Sequence, residues 1–93
     1  MTKDEYRDRL TTFVAAEFMD EEAAPDLTAA TPLVESGVLD SLRIAVLLTF
    51  IRDGLGVHIP LAKIDAAHFK TIDAVADLLT EAQPSAAGER AAR

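Results

Sequence analysis

Asp40-Ser41-Leu42-Arg43-Ile44-Ala45-Val46-Leu47-Leu48-Thr49-Phe50-Ile51-Arg52-Asp53-Gly54 is the stretch on which the fold turns. Its apolar run, Ile44 to Ile51 broken only by Thr49, lies between Arg43 and Arg52. That run is far short of the roughly 20 residues needed to cross a bilayer, so it reads as an element of a soluble core. Asp40 or Ser41 can serve as N-cap, since a short side-chain oxygen accepts from a free N–H of the first turn. Gly54 and Gly56 supply the stop. The pattern predicts a helix whose inner stripe is Leu42, Ala45, Leu48 and Ile51, with Leu47 flanking it and Ile44, Val46 and Phe50 toward the edges.

Outward on the N-terminal side, residues 20–40 contain Pro25, Pro32 and Gly37 and no sustained period, so they read as one long loop. Leu27, Leu33, Val38 and Leu39 are its expected anchors. Before it, Tyr6, Leu10, Phe13, Val14 and Phe18 repeat at helical spacing over residues 2–19, and Thr2 with Glu5 fits a capping box. On the C-terminal side, a short helix or turn is expected over Leu61–Ala67 after Pro60. A last helix follows, capped by Thr71, with Ile72, Val75, Ala76 and Leu79 inside and Pro84 beyond its end. Residues 84–93 are small, polar and aperiodic, and read as a disordered tail. The expectation is an all-α bundle over residues 1–83, with three long helices and one short one.

At 93 residues there is room for a single domain. The formal charge is −7, from 9 Lys+Arg against 16 Asp+Glu, which argues against a nucleic-acid partner and fits a basic protein partner. Residues 20–40 hold nearly all of that excess: six acids and no base. There is no cysteine, hence no disulfide, thiolate metal site or thiol catalysis. The N-terminus is charged from Lys3 onward and lacks the apolar core of a signal peptide, so a cytoplasmic location is expected.

The usual equipment of an enzyme is missing. Asp20-Glu21-Glu22-Ala23-Ala24-Pro25-Asp26 has neither the spacing nor the glycine of a calcium loop. His58 and His68 do not form a metal-binding pair. Ser41 is not in a G-x-S-x-G elbow, and a helix from 41 to 53 would carry the chain roughly 18 Å before His58 is reached. The four glycines are scattered, so no glycine-rich phosphate loop exists. No catalytic residue and no metal ligand is assigned.

One feature stands out against this blank background. Glu35-Ser36-Gly37-Val38-Leu39-Asp40-Ser41-Leu42 places a serine hydroxyl at a helix N-terminus, where free N–H groups and the helix dipole favour a phosphate. Taken alone, Asp-Ser-Leu is common and reads as an ordinary helix cap. The wider context is similar to the acyl and peptidyl carrier proteins, which bear substrates on 4′-phosphopantetheine. The similarity includes Leu33-x-x-x-Gly37-x-x-Asp40-Ser41-Leu42, then Gly56-Val57-His58-Ile59-Pro60, then Phe69-x-Thr71-Ile72, and extends from about Phe13 to Leu79.

The resemblance implies that Ser41 receives the phosphopantetheine arm from coenzyme A through a phosphopantetheinyl transferase, with cargo held on the arm's thiol as a thioester. It implies that Asp40 assists recognition by the transferase and that the second helix is the main docking surface. Leu42, Arg43, Ile44, Val46 and Leu47 are the partner-recognition candidates there. The Arg43–Ile44–Leu47 edge is preferred over the Val46–Thr49–Asp53 edge because it is nearest Ser41 and carries the only base of the first turn. This helix departs from the acidic pattern typical of fatty-acid carriers.

The expected protein is a free-standing monomeric carrier, not an enzyme, that works with a loading enzyme and a downstream synthase or transferase. Val38-Leu39 before Asp40-Ser41 resembles discrete carriers of small acyl or aminoacyl units, which points toward polyketide or nonribosomal peptide metabolism. The alternatives are a primary fatty-acid carrier and, in another class, an unmodified acidic helical adaptor.

Overall fold

A computed structural model describes residues 1–83, and the tail expected at 84–93 lies outside the described residues. The fold is all-α: helices α1 (Lys3–Phe18), α2 (Ser41–Gly54) and α3 (Ile72–Ala82), with 3-10 turns at Ala24–Asp26 and Leu61–Lys63 and no strand among the described residues. None of these helices is long and apolar enough to cross a membrane.

Each helix starts where its first side chains dictate. At α1, Thr2 Oγ1 accepts from the Glu5 N–H at 3.2 Å and Glu5 Oε1 accepts from the Thr2 N–H at 3.0 Å, so two free donors are satisfied reciprocally. The backbone and side-chain bonds with Thr2 hold the Glu5 carboxyl below its ordinary pKa. Thr71 caps α3 through the Ala74 N–H at 3.0 Å.

The core joins Tyr6, Leu10 and Val14 of α1 to Ile72, Val75, Ala76, Leu78 and Leu79 of α3. Leu47 and Ile51 of α2, the loop residues Leu27, Leu33 and Leu39, and Val57, Ile59 and Phe69 complete it. Phe13 is half-buried rather than central, and its ring stacks on Phe50 at 4.1 Å between centroids. Lys3 and Arg7 reach across to Asp73 at 3.3 and 3.2 Å. These are surface pairs and contribute little beyond orientation.

The long loop is fastened at its ends and middle. Leu27, Leu33 and Leu39 are buried and Val38 is half-buried, as expected of its anchors. The Leu33 N–H donates to Lys70 O at 2.8 Å, and the Asp73 N–H donates to Ala29 O at 3.0 Å. Two backbone bonds thus knit the loop to the lead-in of α3. A turn closes it before α2, with the Leu39 N–H on Leu33 O at 2.9 Å and Gly37 at φ +83°. A side chain at Gly37 would meet no neighbour, so only the left-handed backbone requires glycine there.

Two expectations are corrected. The short fourth helix over Leu61–Ala67 is a single 3-10 turn, Leu61–Lys63. Asp65 interrupts it, because its Oδ1 accepts from the His68 N–H at 2.8 Å and starts a separate turn. The inner stripe of α2 is also different. Leu47 and Ile51 are buried, with Ile44 and Leu48 half-buried beside them, whereas Leu42 is 74% exposed and Ala45 is exposed. Residues 44, 47, 48 and 51 follow the 3, 4 spacing of one helix face. A row at 42, 45, 48 and 51 advances by threes and drifts about 60° per step, so it cannot stay buried.

Candidate functional site

The N-terminus of α2 is organised by Asp40. Its backbone is extended, its Oδ1 accepts from the Arg43 N–H at 2.8 Å, and its carbonyl takes the first helical bond from the Ile44 N–H at 2.8 Å. Of the two residues that could cap the helix, Asp40 does so. Ser41 is therefore the first helical residue, exposed, with its hydroxyl not committed to capping. The Arg43 N–H is satisfied by Asp40, while the N–H groups of Ser41 and Leu42 face out of the helix end without a helical acceptor. A phosphate esterified to Ser41 would meet two donors and the positive end of the α2 dipole. The residues present therefore fit a phosphopantetheine arm.

Arg43 holds this corner together. Its guanidinium donates to Val38 O at 3.1 Å and to Phe18 O at 3.5 Å, and lies 5.6 Å from the centre of the Phe18 ring. One side chain thereby joins the end of α1, the end of the loop and the first turn of α2. The contact with Phe18 O also places a cation at the carbonyl end of α1, which has no base of its own in its last turn.

The residues of the expected docking edge differ in exposure. Leu47 is only 1% exposed, Ile44 is half-buried, and Arg43, also half-buried, is turned onto backbone carbonyls. Leu42 and Val46, one turn apart, are exposed instead, together with Ala45 and Thr49. Asp40, Leu42 and Val46 are thus exposed near Ser41, Arg43 and Ile44 are half-buried, and Leu47 is buried. The exposed strip carries no charge from Leu42 to Thr49. The signal that could have separated the edges was the i, i+3, i+4, i+7 row of Ile44, Leu47, Leu48 and Ile51.

Neither histidine belongs to this corner. His58 is exposed, and His68 pairs with Asp65 at 2.7 Å. No group of His, Asp and Glu among the described residues could hold a metal ion.

A family model described as "Phosphopantetheine attachment site" matches residues 9–79, which includes the whole of α2 and the loop before it. No curated protein matches the chain in sequence. Among solved structures, one titled "Crystal structure of FAD-dependent dehydrogenase" contains a chain similar to this one, with 38% identity and a TM-score of 0.69. The similarity covers 75% of this chain and 97% of that one.

Proposed function

Because the chain belongs to the phosphopantetheine attachment site family, its cofactor is covalent 4′-phosphopantetheine, and we propose that Ser41 is the attachment residue. The observation that carries the proposal is the exposed Ser41 hydroxyl at the first position of α2, left free because Asp40 caps the helix. In the transfer, the Ser41 oxygen loses its proton and bonds to the phosphorus of the pantetheine phosphate. The leaving group is the adenosine bisphosphate half of coenzyme A. The arm supplies a terminal thiol on which an acyl or aminoacyl group is held as a thioester. The chain's own part is to present Ser41, to offer the N–H groups of Ser41 and Leu42 as hydrogen-bond donors that would favour the phosphate, and to offer Leu42 and Val46 to the enzymes that serve the arm.

In this reading the protein is a cytoplasmic, monomeric shuttle and performs no chemistry of its own. A loading enzyme and a downstream synthase or transferase act on the cargo. Specialised metabolism of the polyketide or nonribosomal peptide kind is favoured over primary fatty-acid synthesis by the uncharged outer strip of α2. The dehydrogenase structure adds a further element. The aligned stretch is about 70 residues and nearly all of the matched chain, so the likeness is to a small domain of carrier size. It supports a flavin-dependent dehydrogenase as one of the enzymes that take up the loaded arm.

Intact mass of the protein purified from its own host tests this reading. The arm and cargo are expected as added mass on the peptide containing Ser41. A chain that stays unmodified there, and also after incubation with a broad-specificity transferase and coenzyme A, would be an adaptor instead.

A further inference from the structure

The C-terminal half of α1 and the turn after it border an open groove of about 460 Å³, lined by Thr12, Ala15, Ala16, Met19, Glu21 and Ala24. Thr12, Ala15, Ala16 and Met19 stand at i, i+3, i+4 and i+7, so they form one face of α1. Ala15, Met19 and Ala24 are half-buried and make an apolar floor, while Thr12, Ala16 and Glu21 form an exposed rim. Asp20 shapes the far wall: its Oδ1 accepts from the Ala23 N–H at 2.8 Å and its carbonyl from the Ala24 N–H at 2.9 Å. Small side chains along the helix leave room for a foreign side chain to enter.

Acids outnumber bases around this groove, with Arg9 one turn before Thr12 and Arg43 at the end of α1 as its basic neighbours. Between Arg9 and Arg43 there is no lysine, arginine or histidine, but seven acids: Glu17, Asp20, Glu21, Glu22, Asp26, Glu35 and Asp40. All seven are exposed. α1 ends here with its negative dipole end and no basic residue in its last turn. The Arg43 side chain ties that end to Val38 and the start of α2, which sets the groove at the Ser41 end of the molecule.

We propose that this groove is a docking surface for a cationic amphipathic element of a partner protein. An apolar side chain of the partner seats among Ala15, Ala16 and Met19, and its flanking lysines or arginines meet Glu17, Asp20, Glu21 and Glu22. The apolar floor gives register, and the acids speed encounter and confer preference for a basic surface. The proposal rests on the carrier reading only for its purpose: a partner held here stands at the Ser41 end of the molecule.

Two synthetic helical peptides of equal positive charge test it, one with leucines along one face and lysines along the other, the second with serines in place of the leucines. Titrated into the isotope-labelled full chain at low salt, the leucine peptide is expected to shift amides of Thr12–Ala24 saturably. The serine peptide should bind at least about tenfold more weakly, a difference of about 1.4 kcal/mol. Ala16→Lys, at an exposed helical position, should weaken the leucine peptide by a similar factor while the amide spectrum stays folded. Equal shifts scattered over all the acids with both peptides would overturn the proposal in favour of unspecific charge attraction. Shifts centred on Leu42–Thr49 would overturn it in favour of the α2 strip. Neither result alters the Ser41 mass change, so the two readings fail separately.

Discussion

The Arg43 guanidinium donates to the Val38 carbonyl at 3.1 Å, across the junction between the long loop and α2. The same side chain reaches the last turn of α1 at Phe18. Arg43 is therefore a clamp that fixes where α2 begins, and with it the position of Ser41. Arg43→Glu removes a charge-assisted bond and sets a carboxylate against two carbonyls, so a loss of about 1–3 kcal/mol is expected. Chemical denaturation measures it. An unchanged midpoint would mean that the clamp is not formed in solution.

The stripe assignment of α2 separates two leucines sharply. Leu47 is 1% exposed and Leu42 is 74% exposed. Leu47→Ala is expected to cost about 2–5 kcal/mol, as a core truncation does. Leu42→Ala should stay within about 0.5 kcal/mol, as surface changes do. Equal losses at the two positions, read from paired denaturation curves, would contradict the assignment.

The proposed docking strip follows the same division. Leu42→Glu and Val46→Glu place charge on the exposed strip next to Ser41, where no core contact is lost. Both are expected to keep the wild-type melting temperature within about 2–4 °C, what about 0.5 kcal/mol gives in a domain of this size. Both should slow cargo loading by about tenfold or more, since an apolar contact is replaced by a solvated charge that must be stripped of water. Loading rates of the holo variants decide it, and wild-type rates in both would move docking elsewhere.

Acid should expose the capping box. Bonds from Thr2 hold the Glu5 carboxyl below its ordinary value of 4.5. A carboxylate depressed in the folded state contributes stability above its unfolded pKa and loses it as pH falls through the folded one. Wild type should therefore melt higher than Glu5→Gln at neutral pH, with the gap closing as pH drops below about 4.5. The effect is small because Glu5 is exposed. A gap that persists at pH 3 would assign the difference to something other than this charge.

Much of this was legible in the residues, and the exceptions have a common cause. The three helices, the loop anchors Leu27, Leu33 and Leu39, and the caps Thr2 and Thr71 follow from local chemistry, which a sequence carries directly. Asp40 and Ser41 looked equivalent as caps, because both have a short oxygen-bearing side chain. Only the backbone geometry assigns the role to Asp40. The inner face of α2 was misread because apolar residues nearly encircle that helix, so its own pattern does not say which side the rest of the core will cover. The Arg43 clamp depends on Phe18, 25 positions away, and no local pattern could reveal it. Over Leu61–Ala67 the pattern leaves helix and turn open, and the turn is found, with Asp65 starting a separate one by accepting from the His68 N–H.

The central claim is that Ser41 is the modified residue and that Asp40, not Ser41, holds the helix start. Intact mass after incubation with a phosphopantetheinyl transferase and coenzyme A tests it most directly, on wild type, Ser41→Ala and Asp40→Ala. Wild type should gain the mass of one arm, and Ser41→Ala none, with stability within about 0.5 kcal/mol of wild type. Asp40→Ala should keep the serine yet lose about 1 kcal/mol of stability, as a missing cap does. An arm still gained by Ser41→Ala, or none gained by wild type, would contradict the account.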